Sequence, residues 1–376
     1  MSSRVENVNE EILKQCRIQI GLHLSDVEKK INKIRDFEEG TLKPTFNQLN
    51  ILSSLYKVPR WVFIEDKLPE KYILDNSVPV FRQFAKDNSD IFDNSEIRIL
   101  ITQVENYRGL LLDLLEDIDE QISEFDPPDI KDLNFEDIST RIRKWLDIGD
   151  DTFDFIEFKE MLEKKGVFIF LTSKYKGWSH IDRGLLRGLA IYHKTLPIII
   201  INDSDSKKAQ SFTLFHELGH LLRKESSLDN WEYNQRGIER WCDELAGNIL
   251  MPTSLIKKQI SEIDDITSIK SLARLFKVSL YAITVRLRQL NIITQEQYLY
   301  FEKILNIEFQ RYQNKMKEMD SPMARNRPKE ILNQYGHLFT RVVFQAYYNK
   351  DIGFHKLSKI FGIKNPSYIL KIEGNI

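Results

Sequence analysis

Cysteine is scarce in this chain of 376 residues, which contains only Cys16 and Cys242. Two cysteines so far apart exclude a disulfide scaffold and a C-x-x-C zinc motif, and they fit a reducing compartment. The chain also lacks an excess of either charge, because 54 lysines and arginines face 56 aspartates and glutamates. We therefore expect no general affinity for polyanions.

Long apolar segments are missing as well. The chain has no uncharged run of about 18 apolar residues, so we expect no membrane span and no membrane partner. The N-terminus is charged and lacks the apolar region of a signal peptide. Together these absences predict a cytoplasmic protein.

The most informative stretch is the HELGH sequence at positions 216–220. On a helix, His216 and His220 would lie four residues apart on one face and could bind one Zn²⁺ ion. Glu217 would lie beside them. Zinc lowers the pKa of a water toward about 7 and polarises carbonyl groups. A neighbouring carboxylate can accept the proton of that water and pass it to a leaving amine, so the motif predicts peptide hydrolysis.

The sequence around the motif favours a helix. Ser206 is a candidate N-cap, and apolar residues recur at helical spacing through 212–222. The apolar run at 196–202 predicts a buried strand before it. Gly219 disfavours the helix interior by about 1 kcal/mol relative to alanine. We expect this glycine to allow a strand to pack closely.

Catalytic zinc usually has three protein ligands, so a third is required. Residues 237–252 predict a second amphipathic helix that ends near Pro252. Glu239 on this helix is the favoured ligand, and Glu232 and Glu244 are alternatives. Asp243, four residues after Glu239, could accept the outer N–H of a ligating histidine.

Four blocks of the sequence resemble the ImmA/IrrE metallopeptidases in order and spacing: LRGLA at 186–190, PIIIIN at 197–202, KAQSFTLFHELGH at 208–220 and the helix at 239–252. The resemblance covers residues 153–252. It implies a zincin-like core in which His216, His220 and Glu239 bind zinc and Glu217 is the general base. The family more often has Ala-Asn where this chain has Cys242-Asp243, a change that resembles the Glu-x-x-x-Asp pattern of thermolysin-like enzymes.

The N-terminal region resembles a different family. Residues 1–75 carry helical patterns at 9–20, 25–37 and 43–56, and residues 35–49 resemble the end of an Xre-type helix-turn-helix. This copy departs from the pattern, because residues 25–40 are short for two helices and a turn. We interpret it as a degenerate module that binds DNA or docks a protein.

Four spans are predicted: the Xre-like module at 1–75, the peptidase core at 76–262 with a long leading helix at 96–120, a helix-turn-helix-like segment at 263–319, and a C-terminal helical segment at 320–376. Strands are predicted at 167–172, 189–193 and 197–201. In the third span, Arg286 and Arg288 either contact nucleic acid or serve in packing.

Residues that line the cleft are harder to identify. His180 and Tyr233 lie near the zinc blocks in sequence and are candidates for the cleft or for stabilising an oxyanion. A lone histidine is more often a structural residue.

The predicted fold class is α+β and mostly helical: a zincin-like core with a small sheet, flanked by helix-turn-helix-like modules. The predicted function is a zinc-dependent endopeptidase. By the family resemblance, its protein partner would be an Xre-type repressor, and cleavage would derepress a mobile-element, stress or toxin–antitoxin operon. The alternatives are a DNA- or protein-binding transcriptional regulator with a structural or vestigial metal site, and a toxin–antitoxin component that acts by sequestration.

Overall fold

The fold is taken from a computed structural model. It describes residues 3–69, 72, 94–120, 124–174, 179–223, 235–260, 263, 265–318, 326–363 and 365–374. The chain divides into two compact units, residues 1–110 and 111–376. The four predicted spans remain a prediction. Among the described residues, no helix combines the length and the apolar character that a bilayer crossing requires.

The first unit is helical. Its elements are α1 (Glu10–Gln19), α2 (Leu24–Glu28), α3 (Ile34–Glu38), α4 (Phe46–Tyr56) and a 3₁₀ helix (Arg60–Ile64). The side chain of Thr45 accepts from the backbone N–H of Gln48 at 3.3 Å and so caps α4, as the sequence favours. The next helix, α5 (Ser95–Asp117), crosses the division between the units.

The single helix expected at 25–37 is wrong, since α2 and α3 are separate five-residue helices. An ion pair between residues distant in sequence fixes the end of α3 on α1. Arg17 on α1 donates to the Glu38 carboxylate at 2.7 and 2.8 Å and to the Leu22 carbonyl at 3.0 Å. These contacts hold the end of α3 and the segment that precedes α2 against α1, and such tertiary contacts can override local helix propensity.

The second unit contains a three-stranded sheet and the remaining helices. Their bounds are α6 (Phe135–Trp145), α7 (Phe155–Lys164), β1 (Phe168–Leu171), β2 (Gly188–Ile191), β3 (Ile198–Ile201), α8 (Lys207–Leu222), α9 (Gln235–Leu250), α10 (Thr253–Gln259), α11 (Ile266–Leu275), α12 (Leu280–Gln289), α13 (Gln295–Glu318), α14 (Arg327–Tyr348), α15 (Phe354–Ile360) and α16 (Pro366–Glu373). This mostly helical architecture with a small sheet confirms the predicted α+β class.

The sheet has the order β1-β3-β2, so β3 is central. Strand β1 pairs with β3 in parallel, and β2 pairs with β3 antiparallel, with Gly188 opposite Ile201. Every residue of β3 is buried. A strand that is apolar along its whole length is typical of a sheet covered on both faces.

Helices cover both faces of the sheet. One face packs in the main core against α8, where Ile199 and Ile201 join Leu218. On the other face Phe168 stacks on Phe339 of α14, with ring centroids 5.8 Å apart. The C-terminal helix α14 is therefore part of the packing that holds the sheet.

Helix α14 is kinked at Gly336, where φ is 80°. A side chain would not fit there, because a Cβ at this position would overlap the Glu163 carboxylate and lie 2.6 Å from Lys159 Nζ. The positive φ and the close approach both require glycine. The kink thus docks α14 onto α7.

Candidate metal centre

Helix α8 carries the HELGH motif and begins where the sequence indicates. The Ser206 hydroxyl accepts from the Ala209 backbone N–H at 3.3 Å, which caps the helix. One side of the helix is apolar and fully buried, and it carries Leu214, Phe215 and Leu218. This apolar side anchors α8 on the sheet and leaves His216 and His220 partly exposed, at 16% and 12% of their side-chain surface.

Helix α9 crosses α8 at a glycine. A Cβ on Gly219 would lie 3.0 Å from Cys242 Sγ and 3.4 Å from Cys242 Cα. The element that approaches Gly219 closely is therefore a helix, and the expectation of a strand there is wrong. Cys242 is completely buried at this crossing. The close approach places Glu239, about one turn before Cys242 on α9, beside the two histidines.

Two buried arginines hold the C-terminal end of α9. Arg143 of α6 donates to the Ile249 carbonyl at 2.6 Å, and Arg286 of α12 donates to Asn248 Oδ1 at 2.6 Å and to the Met251 carbonyl at 3.3 Å. The last carbonyls of a helix lack intrahelical partners and favour cations. Of the two roles left open for Arg286, the structure shows packing, because this side chain is buried.

The structure brings His216, His220 and Glu239 together. His216 Nε2 lies 3.1 Å from Glu239 Oε2 and 3.2 Å from His220 Nε2. His220 Nε2 lies 3.4 Å from Glu239 Oε1. Among the described residues, these three form the group of histidine, cysteine and acidic side chains whose donor atoms could hold one metal ion.

The spacing of these atoms fits zinc. Zinc lies about 2.0–2.2 Å from nitrogen and oxygen ligands in a tetrahedral site, so two ligand atoms are separated by about 3.3–3.5 Å. The three separations in this site, 3.1 to 3.4 Å, lie close to that range. Two imidazoles and one carboxylate form the donor set typical of a catalytic zinc site, in which a fourth position stays open.

Asp243 takes the orienting position expected for it. Its Oδ1 lies 2.8 Å from His216 Nδ1 and accepts a hydrogen bond from that nitrogen. A carboxylate on the outer nitrogen of a histidine fixes the tautomer and directs the other nitrogen to a metal. Nε2 of His216 is the atom that faces Glu239 and His220.

The protonation of the metal-free site follows from its hydrogen bonds. Burial alone lowers the pKa of His216, but its hydrogen bonds to Asp243 and Glu239 outweigh burial and raise the pKa to about 10. Burial and then the charge of His216 lower the pKa of His220 to about 4. The hydrogen bonds to Asp243 and Glu239 thus favour the protonated form of His216.

Glu217 is a buried acid with an unsatisfied oxygen. The residue is 5% exposed, and its Oε2 has no hydrogen-bond partner among the described residues. Burial raises the pKa of its carboxyl to about 7. A buried polar atom without a partner is uncommon in native proteins and often marks a functional group. A carboxyl in this state can accept and release a proton near neutral pH.

Of the other predicted site residues, Glu244 and His180 are not brought into this group. Glu232 and Tyr233 lie outside the described residues. Glu244 is half-buried one turn beyond Glu239 and is not part of the converging group. His180 is half-buried and forms an isolated β-bridge with Ser173, so its role in the cleft stays a prediction.

Asn202, at the end of β3, supports the site, and the sequence did not single it out. Its Nδ2 donates to the carbonyls of Ile181 at 3.1 Å and Leu186 at 2.8 Å. The backbone carbonyl of Asn202 accepts a hydrogen bond from Gln210 Nε2 of α8 at 3.5 Å. Asn202 therefore ties the loop before β2 and the metal helix to the central strand. A buried asparagine after a continuous apolar strand was the available signal.

Comparison with protein families finds a match over the region that contains this site. Residues 164–288 match a peptidase family model described as the IrrE N-terminal-like domain. The match spans 125 of the 376 residues and includes the three strands, α8 and α9. No curated protein matches the chain. The matched region supports a metallopeptidase of the IrrE and ImmA type, and such a peptidase implies a metal.

Proposed function

We propose that this protein is a zinc-dependent endopeptidase. One observation carries the proposal. The Nε2 atoms of His216 and His220 lie 3.2 Å apart, and each lies 3.1–3.4 Å from one oxygen of the Glu239 carboxylate. Beside them is the buried carboxylate of Glu217, whose Oε2 has no partner among the described residues. A structural metal site would not need that carboxylate. A peptidase needs a base that is close to the metal but is not one of its ligands.

In this proposal His216, His220 and Glu239 hold the zinc ion, and Asp243 keeps His216 Nε2 directed at it. When bound, zinc polarises the scissile carbonyl and lowers the pKa of a water. Because α8 supplies two ligands and α9 supplies the third, the close crossing at Gly219 sets the size of the site.

Glu217 is the proposed general base. Its carboxylate accepts a proton from the attacking water and then donates that proton to the leaving amine, so the group is restored after each turnover. Burial keeps this carboxyl away from bulk solvent. Desolvation raises its proton affinity and so favours transfer in both directions near neutral pH.

We propose an Xre-type transcriptional repressor as the substrate. The resemblance of the four sequence blocks to the ImmA/IrrE peptidases supports this choice. Cleavage would derepress a mobile-element, stress or toxin–antitoxin operon, and a repressor substrate requires that the enzyme act in the cytoplasm. The N-terminal module would then dock the repressor or bind DNA.

Cleavage of a peptide library tests the activity without knowledge of the substrate. The zinc-loaded protein is incubated with peptides derived from a bacterial proteome, and new termini are identified by mass spectrometry. We expect cleavage by the wild type and a decrease of about 10²–10⁴-fold for Glu217→Gln at unchanged zinc content. Cleavage that persists in the Glu217→Gln variant contradicts the proposed base.

A second assay tests the substrate class. Small Xre-type repressors encoded next to the gene are incubated with wild type and with Glu217→Gln. We expect one or two discrete cuts by the wild type alone. If library peptides are cut but no such repressor is, the peptidase assignment stands and the repressor assignment fails.

A further inference from the structure

Gly188, the first residue of β2, lies directly against the proposed base. A Cβ built on Gly188 would lie 2.7 Å from Glu217 Oε1 and 3.0 Å from Glu217 Cγ, and closer still to Thr213 Cγ2. Atoms at these separations overlap. The absence of a side chain at 188 is therefore what lets the Glu217 carboxylate lie on the strand.

The backbone does not require glycine at this position. Gly188 is not one of the glycines with a positive φ, and it pairs with Ile201 in a regular antiparallel register. Any residue could adopt that conformation. Glycine is required because side chains of α8 occupy the volume that a Cβ at position 188 would need.

The two α8 residues that face Gly188 differ in their freedom to move. Thr213 is β-branched and has few χ1 rotamers on a helix, so it cannot retreat easily. Glu217 is long and could swing away, but it is buried on the side of the helix that meets the strand. A side chain at 188 would therefore move the carboxylate more readily than the helix.

The loop before Gly188 is fixed as well. Asn202 holds the Leu186 carbonyl at 2.8 Å, and the Asn202 N–H donates to the Arg187 carbonyl at 2.9 Å. Because these bonds tie residues 186 and 187 to β3, the strand cannot shift to accommodate a larger residue. The backbone at Gly188 is therefore held in place against the Glu217 side chain.

We infer that Gly188 is a positioning residue that sets the place of the Glu217 carboxylate beside the metal ligands. This inference rests on the proposed function. Gly188 itself touches no substrate. It acts through Glu217, so its replacement should affect the proton-transfer step and leave the three proposed ligands in place.

The first test is kinetic and uses Gly188→Ala in the full-length, zinc-loaded protein. A displacement of about 1 Å in a reacting group can cost about 100-fold in rate. We expect kcat to fall about 100-fold, with KM changed by less than about threefold and zinc still bound at one per chain. The control is Gly247→Ala, because a Cβ at Gly247 meets nothing within 4 Å. A kcat within about twofold of wild type for Gly188→Ala overturns the inference.

The second test separates positioning from simple packing and needs no activity. Urea unfolding of the metal-free protein is measured for Gly188→Ala alone and combined with Glu217→Asp or Thr213→Ser. A shorter acid should recover part of the lost unfolding midpoint, since Glu217 Oε1 and Cγ occupy the space that the new Cβ needs. If only Thr213→Ser couples to position 188, the glycine serves helix packing and the positioning role is wrong.

The two tests distinguish failure of the proposed peptidase function from failure of the inference about Gly188. If the wild type binds no zinc and cuts no peptide, the proposed function fails, while the coupling between positions 188 and 217 can still be measured. If Gly188→Ala alone does not fold, the inference requires that adding Glu217→Asp restore folding. Failure of that double variant to fold overturns it.

Discussion

Two polar clusters in the second unit have the same spacing and opposite character. Lys159 and Glu163 lie four residues apart on α7, form an ion pair and are 4% and 5% exposed. His216 and His220 lie four residues apart on α8, yet their Nε2 atoms face each other at 3.2 Å beside a carboxylate. The first cluster contains both charges that it needs. The second brings together two imidazoles and one carboxylate, which are the donor groups of a metal site.

The contrast extends to the neighbours of each cluster. The free oxygen of Glu163 accepts the His337 backbone N–H at 3.1 Å, at the kink of α14. Oε2 of Glu217, in contrast, has no partner among the described residues. A buried charge that is fully matched serves the fold, whereas one left unmatched costs stability and indicates chemistry. Variants of the two clusters should therefore have opposite effects on stability and metal binding.

The largest expected effect on metal binding is that of His220→Ala. Loss of an outer partner of a ligand costs about 10–100-fold in metal affinity, and loss of a ligand should cost more than this. We expect zinc binding below detection in a chelator competition titration. The urea midpoint of the metal-free protein should change less than in the Lys159 variant below. Zinc affinity close to wild type would exclude His220 as a ligand.

The matched cluster should give the largest effect on stability. Lys159→Met leaves the Glu163 charge buried without its partner, which costs about 3–5 kcal/mol of unfolding free energy. Urea unfolding measures this loss, and zinc bound per folded chain should not change. Lys258→Met is the control, because the Lys258–Asp150 pair is exposed and such pairs contribute at most about 1 kcal/mol. Equal losses for the two variants would contradict the comparison.

Asp243→Asn should have a smaller effect on the metal site. The variant keeps the shape of the side chain but weakens its hold on His216 Nδ1. We expect zinc affinity to fall about 10–100-fold, with little change in the unfolding of the metal-free protein. An unchanged affinity would show that His216 is oriented without Asp243.

The last comparison concerns how zinc affinity changes with pH. The hydrogen bonds to Asp243 and Glu239 outweigh burial and raise the pKa of His216 to about 10 in the metal-free protein. The raised pKa stabilises the metal-free fold fully below about pH 6.5, and that contribution is lost as pH rises through about 10. Zinc must displace this proton, so apparent affinity should rise about tenfold per pH unit between about pH 7.5 and 9.

Calorimetry in buffers of different ionisation enthalpy checks this proton release. We expect about one proton per zinc at about pH 8. The Glu217→Gln variant should release the same number of protons, because Glu217 is not a metal ligand and zinc does not displace a proton from it. No dependence on the buffer would mean that His216 is already neutral.

The sequence predicted the elements whose signals are local. The apolar runs predicted all three strands within two residues, and Ser206 caps α8 as expected. The HELGH motif and the spacing from Glu239 to Asp243 predicted the residues that converge. These signals lie within one or two helical turns, so a single sequence contains them.

The features that depend on distant residues could not be predicted. The Arg17–Glu38 pair ties the end of α3 to a residue 21 positions earlier, and contacts of Arg286 with α9 bury a side chain that a helical pattern places equally well on the surface. The space that Gly188 provides depends on a residue 29 positions later. None of these partners is indicated by composition or periodicity.

X-ray absorption at the zinc edge tests the central claim most directly. The purified protein should contain one zinc per chain, with nitrogen and oxygen neighbours at about 2.0–2.2 Å. Cys242 is buried against Gly219, and burial raises the pKa of its thiol, so no sulfur neighbour is expected. A protein without stoichiometric zinc, or a spectrum with sulfur at about 2.3 Å, would contradict a centre built from His216, His220 and Glu239.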